Sequence, residues 1–286
     1  MRPFEVVIPA QGQSLAGSFF PAASGSSQQP VLICPATGIL QKFYFPFASW
    51  LASQGFSVLV FDYRGIGGSL QERHVRHCGA RKQDWGLLDM PAALDFLLEL
   101  TGQGSAILIG HSAGGQLFGL MHNHAKVRGV IAVAASSGHV ENIRKDKRTA
   151  ARMMLDWFIP VTSTVLGYVP AKRIGWGENL PAGVGRQWAK WCSRPGYVEN
   201  DFADSIPKHW YSEFNSPIVF VHASDDEIAT RPNVEDIMRL FPGARKNRIE
   251  LTPADFGLGK VGHMNVLREP CKKIWPRLLR EMKAMI

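Results

Sequence analysis

The segment 107–116 constrains the fold more than any other part of the chain. It reads Ile-Leu-Ile-Gly-His-Ser-Ala-Gly-Gly-Gln, an apolar run followed by a glycine-rich turn. Such a run is typical of a strand buried on both faces in a parallel sheet. Glycine is expected at Gly110 and Gly114 because a side chain at either position would clash with neighbouring backbone. The segment therefore predicts a buried strand, a very sharp turn and the start of a helix.

Ser112 lies at the tip of this turn, in the pattern Gly-x-Ser-x-Gly. A serine hydroxyl becomes a useful nucleophile when a strained strand-to-helix turn holds it beside a base and near free amide donors. The pattern alone occurs by chance, but here an apolar run precedes it and helical spacing of apolar residues follows over 117–121. We therefore predict that Ser112 is a nucleophile, and the alternative is an ordinary strand–turn–helix connection.

Strand-like and helix-like segments alternate on both sides of the turn. After an N-terminal hairpin, the apolar strand patterns are followed by helical or glycine-rich segments. The predicted strands cover residues 4–8, 15–20, 31–34, 57–62, 106–109, 127–134, 217–223 and 244–251. This alternation indicates an α/β fold, with a mostly parallel twisted sheet of about eight strands and helices on both faces.

The alternation stops between residues 139 and 210. Five of the eight tryptophans lie in this segment among glycines and prolines, and no strand is apparent there. We predict a helical lid, inserted into a core that comprises residues 1–138 and 211–286. The insertion either has its own aromatic core or lines an apolar substrate pocket over the sheet, and the two roles are compatible.

A nucleophilic serine needs a histidine base, and the base needs a carboxylate that orients it. In folds of this type the chain order is serine, acid, histidine. Asp226 follows the predicted strand 217–223, and His263 is the only histidine after it. We predict that Ser112, Asp226 and His263 form a catalytic triad. The side chain of His111 is expected to point elsewhere, because neighbouring residues in a tight turn diverge.

The intermediate of acyl transfer carries an oxyanion that needs two backbone N–H donors. Ala113, directly after the nucleophile, is expected to supply one of them. The loop 35–38, Pro-Ala-Thr-Gly, is expected to supply the other. Thr37 is the preferred donor and Ala36 the alternative, and the Thr37 hydroxyl is a candidate for assisting.

Composition disfavours several other functions. The formal net charge is +8, but the basic residues are scattered apart from 144–148 and the last helix, and no nucleic-acid-binding motif is present. We therefore predict a basic solvated surface and no nucleic-acid partner. The four cysteines stand alone, and His74 and His77 beside Cys78 lack a fourth ligand, so we predict surface residues there and no metal or cofactor.

Targeting signals are equally sparse. No apolar run is long enough to span a membrane, and no signal-peptide pattern begins the chain. We expect a cytoplasmic protein without a membrane span. Its oligomeric state, monomer or homodimer, stays open.

These motifs resemble the α/β-hydrolase superfamily, in its serine aminopeptidase-like and monoacylglycerol lipase-like branch. The resemblance rests on the Gly-His-Ser-Ala-Gly turn, on Asp-Tyr-Arg-Gly-Ile-Gly-Gly-Ser at 62–69, on Ser-Asp-Asp-Glu-Ile at 224–228 and on the Gly-His pair at 262–263. It implies the same triad and oxyanion residues. The family pattern places the acid two residues before a hydrophobic position, here Ile228, and so selects Asp226 over Asp225. The chain departs from the family at Pro35-Ala36, where His-Gly is usual.

The resemblance and the residues together predict a serine hydrolase. It would cleave a carboxylic ester or thioester of a small-molecule acyl substrate through an acyl-enzyme. An acyltransferase, or an amidase or aminopeptidase, on the same triad is the nearest alternative. A non-catalytic binding or scaffold protein is the alternative from another class.

Overall fold

The computed structural model describes residues 2–23 and 28–286, and eight of its strands form one sheet. Along the sheet their order is β1-β2-β4-β3-β5-β6-β9-β10. These strands are β1 Phe4–Ala10, β2 Gln13–Phe20, β3 Gln28–Cys34, β4 Phe56–Phe61, β5 Ala106–His111, β6 Val127–Val133, β9 Ile218–Ala223 and β10 Lys246–Leu251. Two shorter strands, β7 Tyr168–Val169 and β8 Leu180–Pro181, pair separately.

Six neighbouring strands of the sheet, from β4 to β10, run parallel. The hairpin of β1 and β2 joins them through an antiparallel pairing of β2 with β4. Strands β4, β5 and β9 are buried along their whole length, as strands covered on both faces must be. The predicted α/β fold, with a mostly parallel sheet of about eight strands, is confirmed.

Helices connect the strands and cover the sheet. The α-helices are α1 Phe45–Ser53, α2 Lys82–Asp84, α3 Met90–Thr101, α4 Lys145–Arg152, α5 Ile159–Val165, α6 Ala182–Cys192, α7 Arg231–Met238 and α8 Trp275–Lys283. Two π-helical turns, Trp85–Asp89 and Met153–Phe158, continue α2 into α3 and α4 into α5. Among the described residues, no helix combines the length and the apolar character that crossing a membrane requires.

The helix expected after the sharp turn is replaced by two short 3₁₀ turns, Ser112–Gly115 and Phe118–Leu120. Partners from outside the segment bind the carbonyl groups that an α-helix would use. The Tyr211 hydroxyl donates to the Gln116 carbonyl at 2.6 Å, and the Trp210 amide donates to the Gly119 carbonyl at 2.7 Å. The predicted helix was therefore wrong, and within the described residues no long helix begins at Ser112.

The segment 139–210 lies between β6 and β9 and carries α4, α5 and α6. Trp191 is fully buried there, packs edge-on against Tyr197 and donates from its indole to Asp201 at 2.7 Å. The segment thus has an aromatic core of its own. The segment also holds the two strands β7 and β8, which were not apparent from the sequence because two residues are too few to show an alternating pattern.

Parallel strands place their carboxyl ends at one edge of the sheet, which is where α/β folds bind ligands. The loops after β3, β5, β9 and β10 meet at this edge. They carry Thr37, Ser112, Asp226 and His263 respectively. The topology therefore gathers residues that are far apart in the chain.

Candidate active site

The turn after β5 holds Ser112 in a strained conformation. Its φ is +47°, in the left-handed region that residues with side chains rarely adopt. A Cβ on Gly110 would lie 2.4 Å from the carbonyl carbon of Gly114, and a Cβ on Gly114 would lie 2.1 Å from the Cys34 carbonyl oxygen. The prediction that both positions need glycine is confirmed. Close backbone packing forces the strain and holds the serine out from the turn.

The three predicted triad residues lie within hydrogen-bonding distance of one another. His263 Nε2 is 3.2 Å from Ser112 Oγ, and His263 Nδ1 is 2.9 Å from Asp226 Oδ2. A carboxylate only accepts hydrogen bonds, so Nδ1 carries the proton and Nε2 is left as the acceptor for the serine hydroxyl. This arrangement can remove a proton from Ser112.

Asp226 is buried, and three N–H groups donate to its carboxylate. Besides His263, the backbone amides of Ile228 and Ala229 each donate to Oδ1 at 2.8 Å. Burial raises the pKa of Asp226, but the charge of His263 and these hydrogen bonds outweigh it and hold the pKa below its usual value. The carboxylate is therefore ionised and fixed in position.

Asp225 points in another direction. Its two carboxylate oxygens accept from the amides of Val261 and Gly262, at 3.0 and 2.8 Å. The adjacent aspartates therefore differ in what they hold. Asp226 contacts the ring of His263, whereas Asp225 fixes the backbone just before it.

The local charges raise the basicity of His263. Burial lowers the pKa of His263, but the charge of Asp226 and its hydrogen bond prevail and raise the pKa above the usual value for histidine. An imidazolium formed when the ring takes the serine proton is thereby stabilised.

Hydrogen bonding in the loop after β3 distinguishes the two candidate oxyanion donors, the amides of Ala36 and Thr37. The Ala36 amide already donates to the Tyr44 hydroxyl at 2.8 Å. The Thr37 amide donates to no other atom in the described part of the chain, and Thr37 lines the same cavity as Ser112. The Gly114 amide donates to the Pro35 carbonyl at 3.1 Å and joins this loop to the turn that carries Ser112 and Ala113. The geometry favours Thr37 over Ala36 as the free donor.

His111 and Tyr44 form a connection that the sequence did not predict. Tyr44 Oη lies 2.9 Å from His111 Nδ1, and His111 Nε2 lies 3.0 Å from the His263 carbonyl oxygen. The carbonyl can only accept, so Nε2 carries the proton and Tyr44 donates to Nδ1. Burial lowers the pKa of His111 to about 4 and keeps the ring neutral. The His111 side chain points away from Ser112, as expected. It bridges Tyr44 and the backbone of His263, and these contacts between distant parts of the chain leave no pattern in the sequence.

A cavity of about 400 Å³ opens beside Ser112 and His263. One wall comes from the sheet-edge loops and the other from the segment 139–210. The residues that this segment contributes are largely apolar: Ile143, Ala150, Ala151, Met154, Leu155, Gly175, Trp176, Gly177, Trp188 and Cys192, with Lys147 among them. The cavity suits a hydrocarbon group attached to a carbonyl that reaches Ser112.

Within the described residues, no cluster of three or more His, Cys, Asp or Glu side chains could hold a metal ion. His77 is exposed as predicted, but Cys78 is buried, and His74 packs half-buried against Tyr168. The expectation of surface residues was thus wrong for Cys78. All four cysteines are free and buried.

The chain belongs to the alpha/beta hydrolase fold family, whose model matches residues 29–254. The fold and the recognised superfamily are thereby confirmed. An uncharacterized protein of Mycobacterium tuberculosis, found in two strains, is 34% identical over 110 residues. That match spans 36% of this chain and 39% of the relative.

Solved structures of low sequence identity share the fold. A soluble variant of monoglyceride lipase from Saccharomyces cerevisiae, in complex with a substrate analog, superposes with a TM-score of 0.72 at 15% identity, covering 100% of this chain and 96% of the lipase. A monoacylglycerol lipase from Paleococcus ferrophilus gives 0.61 at 14% identity, covering 95% and 99%. The esterase domain of a Rhodothermus marinus protein gives 0.61 at 17% identity, covering 99% of each chain.

Proposed function

We propose that the protein is a serine hydrolase that cleaves carboxylic esters or thioesters through an acyl-enzyme. The observation that carries the proposal is the position of His263, which lies between Ser112 Oγ at 3.2 Å and Asp226 Oδ2 at 2.9 Å. A nucleophile, a base and an orienting carboxylate are the three parts that this reaction needs.

In the first half-reaction, Ser112 Oγ attacks the carbonyl carbon while its proton moves to His263 Nε2. The carbonyl oxygen becomes an oxyanion, which accepts hydrogen bonds from the amides of Thr37 and Ala113. The intermediate collapses as His263 returns the proton to the departing alcohol or thiol. Water then attacks the acyl-enzyme by the same route and releases the carboxylic acid.

The substrate class follows from the cavity and the segment 139–210, which we propose is a lid over Ser112. An apolar wall formed by residues such as Met154, Leu155 and Trp188 favours medium or long acyl groups over acetyl. The names of structural neighbours, which include a monoglyceride lipase and an esterase, support ester substrates. The only carboxylate among the cavity-lining residues outside the triad is Glu227, which pairs with Arg144, so little in the described site favours a substrate amine.

Labelling with a fluorophosphonate, combined with turnover of p-nitrophenyl and thioester substrates of graded chain length, tests the proposal. The wild-type protein should be labelled at Ser112 and should hydrolyse esters, and Ser112→Ala should do neither. Ser193→Ala, which removes an exposed serine that does not line the cavity, is the matched control and should behave as wild type. Unchanged labelling of Ser112→Ala would end the proposal. Transfer to an added alcohol in place of water would identify an acyltransferase.

A further inference from the structure

Lys82 is a buried cation without a counter-ion. Its side chain is fully buried at the start of α2, and it forms no ion pair with any carboxylate in the described part of the chain. Nζ lies 2.5 Å from Thr37 Oγ1 and stands over the rings of Trp85 and Trp188, 5.0 and 5.5 Å from their centroids. Burying an unpaired ammonium group opposes folding, so a gain in stability does not explain why Lys82 is buried here.

The contact with Thr37 has a fixed direction while Lys82 is protonated. An ammonium group has three donors and no acceptor, so the Thr37 hydroxyl must accept from Lys82. The proton of that hydroxyl must therefore point to another acceptor. Thr37 lines the cavity together with Ser112 and His263, and its half-buried side chain lies at the cavity wall. A substrate oxyanion held by the Thr37 amide is the acceptor that this arrangement leaves for the proton.

We propose that Lys82 is a positioning residue that makes the Thr37 hydroxyl a third donor to the oxyanion, beside the amides of Thr37 and Ala113. This inference rests on the proposed hydrolase function. Thr37 is the catalytic residue because its hydroxyl touches the reacting oxygen. Lys82 acts through Thr37, because a hydroxyl that accepts a hydrogen bond from a cation becomes a stronger hydrogen-bond donor itself.

Because the charge of Lys82 depends on pH, the direction of its hydrogen bond with the Thr37 hydroxyl depends on pH as well. Burial lowers the pKa of Lys82 to about 7. The elements packed around it are the β3 loop, the π turn after α2, and α6, and the titratable group that faces Nζ from them is the Cys192 thiol. Burial raises the pKa of Cys192 to about 12, so this thiol stays neutral while Lys82 titrates. Above the pKa of Lys82 the neutral amine can accept from Thr37, and the hydroxyl proton turns away from the cavity.

A double-mutant cycle tests the inference. Thr37→Val keeps the amide but removes the hydroxyl, and it should lower kcat by on the order of 10²-fold, the cost of losing one oxyanion donor. Lys82→Met should lower kcat by about tenfold, because the hydroxyl stays but its direction is no longer fixed. Added to Thr37→Val, Lys82→Met should have no further effect, since the two act as one unit. Thr37→Ser, which keeps a hydroxyl at this position, should recover most of the kcat that Thr37→Val loses.

Two controls separate positioning from structure. Lys82→Met should melt at or above the wild-type temperature, because an apolar side chain replaces a buried charge. Lys126→Met removes an exposed lysine and should leave kcat unchanged. Equal losses from Lys82→Met with and without Thr37→Val, or no loss at all, would overturn the inference.

The pH profile covers the case in which Lys82→Met does not fold. Wild-type kcat should fall on the alkaline side with the titration of Lys82, and Thr37→Val should lack this decline. An alkaline decline of the same size in both proteins would overturn the inference. Failure of the wild-type protein to hydrolyse any ester would instead refute the proposed function, and fluorophosphonate labelling of Ser112 distinguishes the two results.

Discussion

His111 Nε2 donates a hydrogen bond to the backbone carbonyl oxygen of His263, 3.0 Å away. The residue before Ser112 thus holds the backbone of His263, the proposed base. The other ring nitrogen accepts from Tyr44, whose hydroxyl in turn accepts from the Ala36 amide. The β3 loop, the serine turn and the histidine loop are therefore joined by one chain of buried hydrogen bonds.

Tyr44→Phe breaks this chain and leaves the Ala36 amide and His111 Nδ1 without partners. We expect it to lower the free energy of unfolding by about 1–3 kcal/mol, the cost of unsatisfied buried groups, as measured by urea denaturation. The matched control is Tyr197→Phe, because the buried Tyr197 hydroxyl has no hydrogen-bond partner among the described residues. Equal stability losses in the two variants would contradict the role of the chain.

The two adjacent aspartates should differ sharply when each is changed to asparagine. Asp226→Asn should lower kcat by about 10⁴-fold, because an amide there favours the wrong tautomer of His263. Asp225→Asn should lower kcat far less, since it removes only one of the two hydrogen bonds from the Val261 and Gly262 amides and leaves the His263 ring contact intact. Steady-state kinetics on folded variants makes the comparison, and the reverse ranking would assign the acid to Asp225.

The acid limb of the pH profile should reflect His263. The base acts in its neutral form, so kcat/KM should rise with pH as His263 loses its proton. Because Asp226 raises the pKa of His263, the midpoint should lie above the usual histidine value of about 6.5. Measuring this limb in Lys82→Met avoids overlap with the titration of Lys82. A midpoint below the usual value would show that burial outweighs the effect of Asp226.

Gly114→Ala should prevent the serine turn from forming. The new Cβ would meet the Cys34 carbonyl oxygen at 2.1 Å, and the contact is with backbone that cannot move aside. We expect loss of fluorophosphonate labelling together with a melting temperature at least several degrees lower, as overpacking typically costs about 1–3 kcal/mol or more. Gly104→Ala meets nothing within 4 Å and is the control. A normally labelled Gly114→Ala would contradict the steric argument.

The acyl preference should depend on the inner face of the segment 139–210. Met154 lines the cavity, whereas the adjacent Met153 is exposed on the outer face. Met154→Trp should narrow the cavity and lower kcat/KM for octanoyl esters more than for acetyl esters. Met153→Trp should leave the octanoyl-to-acetyl ratio unchanged. A wild-type ratio that already favours acetyl would show that the cavity does not accommodate the acyl chain.

The parts of the site that could be predicted from sequence are those set by local pattern. Continuous apolar runs identified the central strands, and Ser112, Asp226 and His263 each come after a predicted strand. The parallel sheet then brought the three loops to one edge. The need for glycine at Gly110 and Gly114 also followed from the turn alone.

What the sequence did not predict depends on contacts between distant segments. Tyr44 and His111 are 67 positions apart, and Lys82 and Thr37 are 45 apart. Lys82 lies in a polar stretch that carries no signal of burial. The expected helix after Ser112 failed for the same reason, because its carbonyl groups bind Trp210 and Tyr211 from far along the chain.

The two walls of the cavity have separate origins in the chain. Thr37, Ser112 and His263 belong to loops fixed by the sheet, whereas Met154 and Trp188 belong to the inserted segment. Substitutions in the inserted wall can therefore reshape the cavity without altering the distances between Ser112, His263 and Asp226. Under the proposed function, the residues that carry out the reaction and those that select the acyl group can therefore change independently during evolution. Related proteins can then keep the same reaction while accepting different acyl groups.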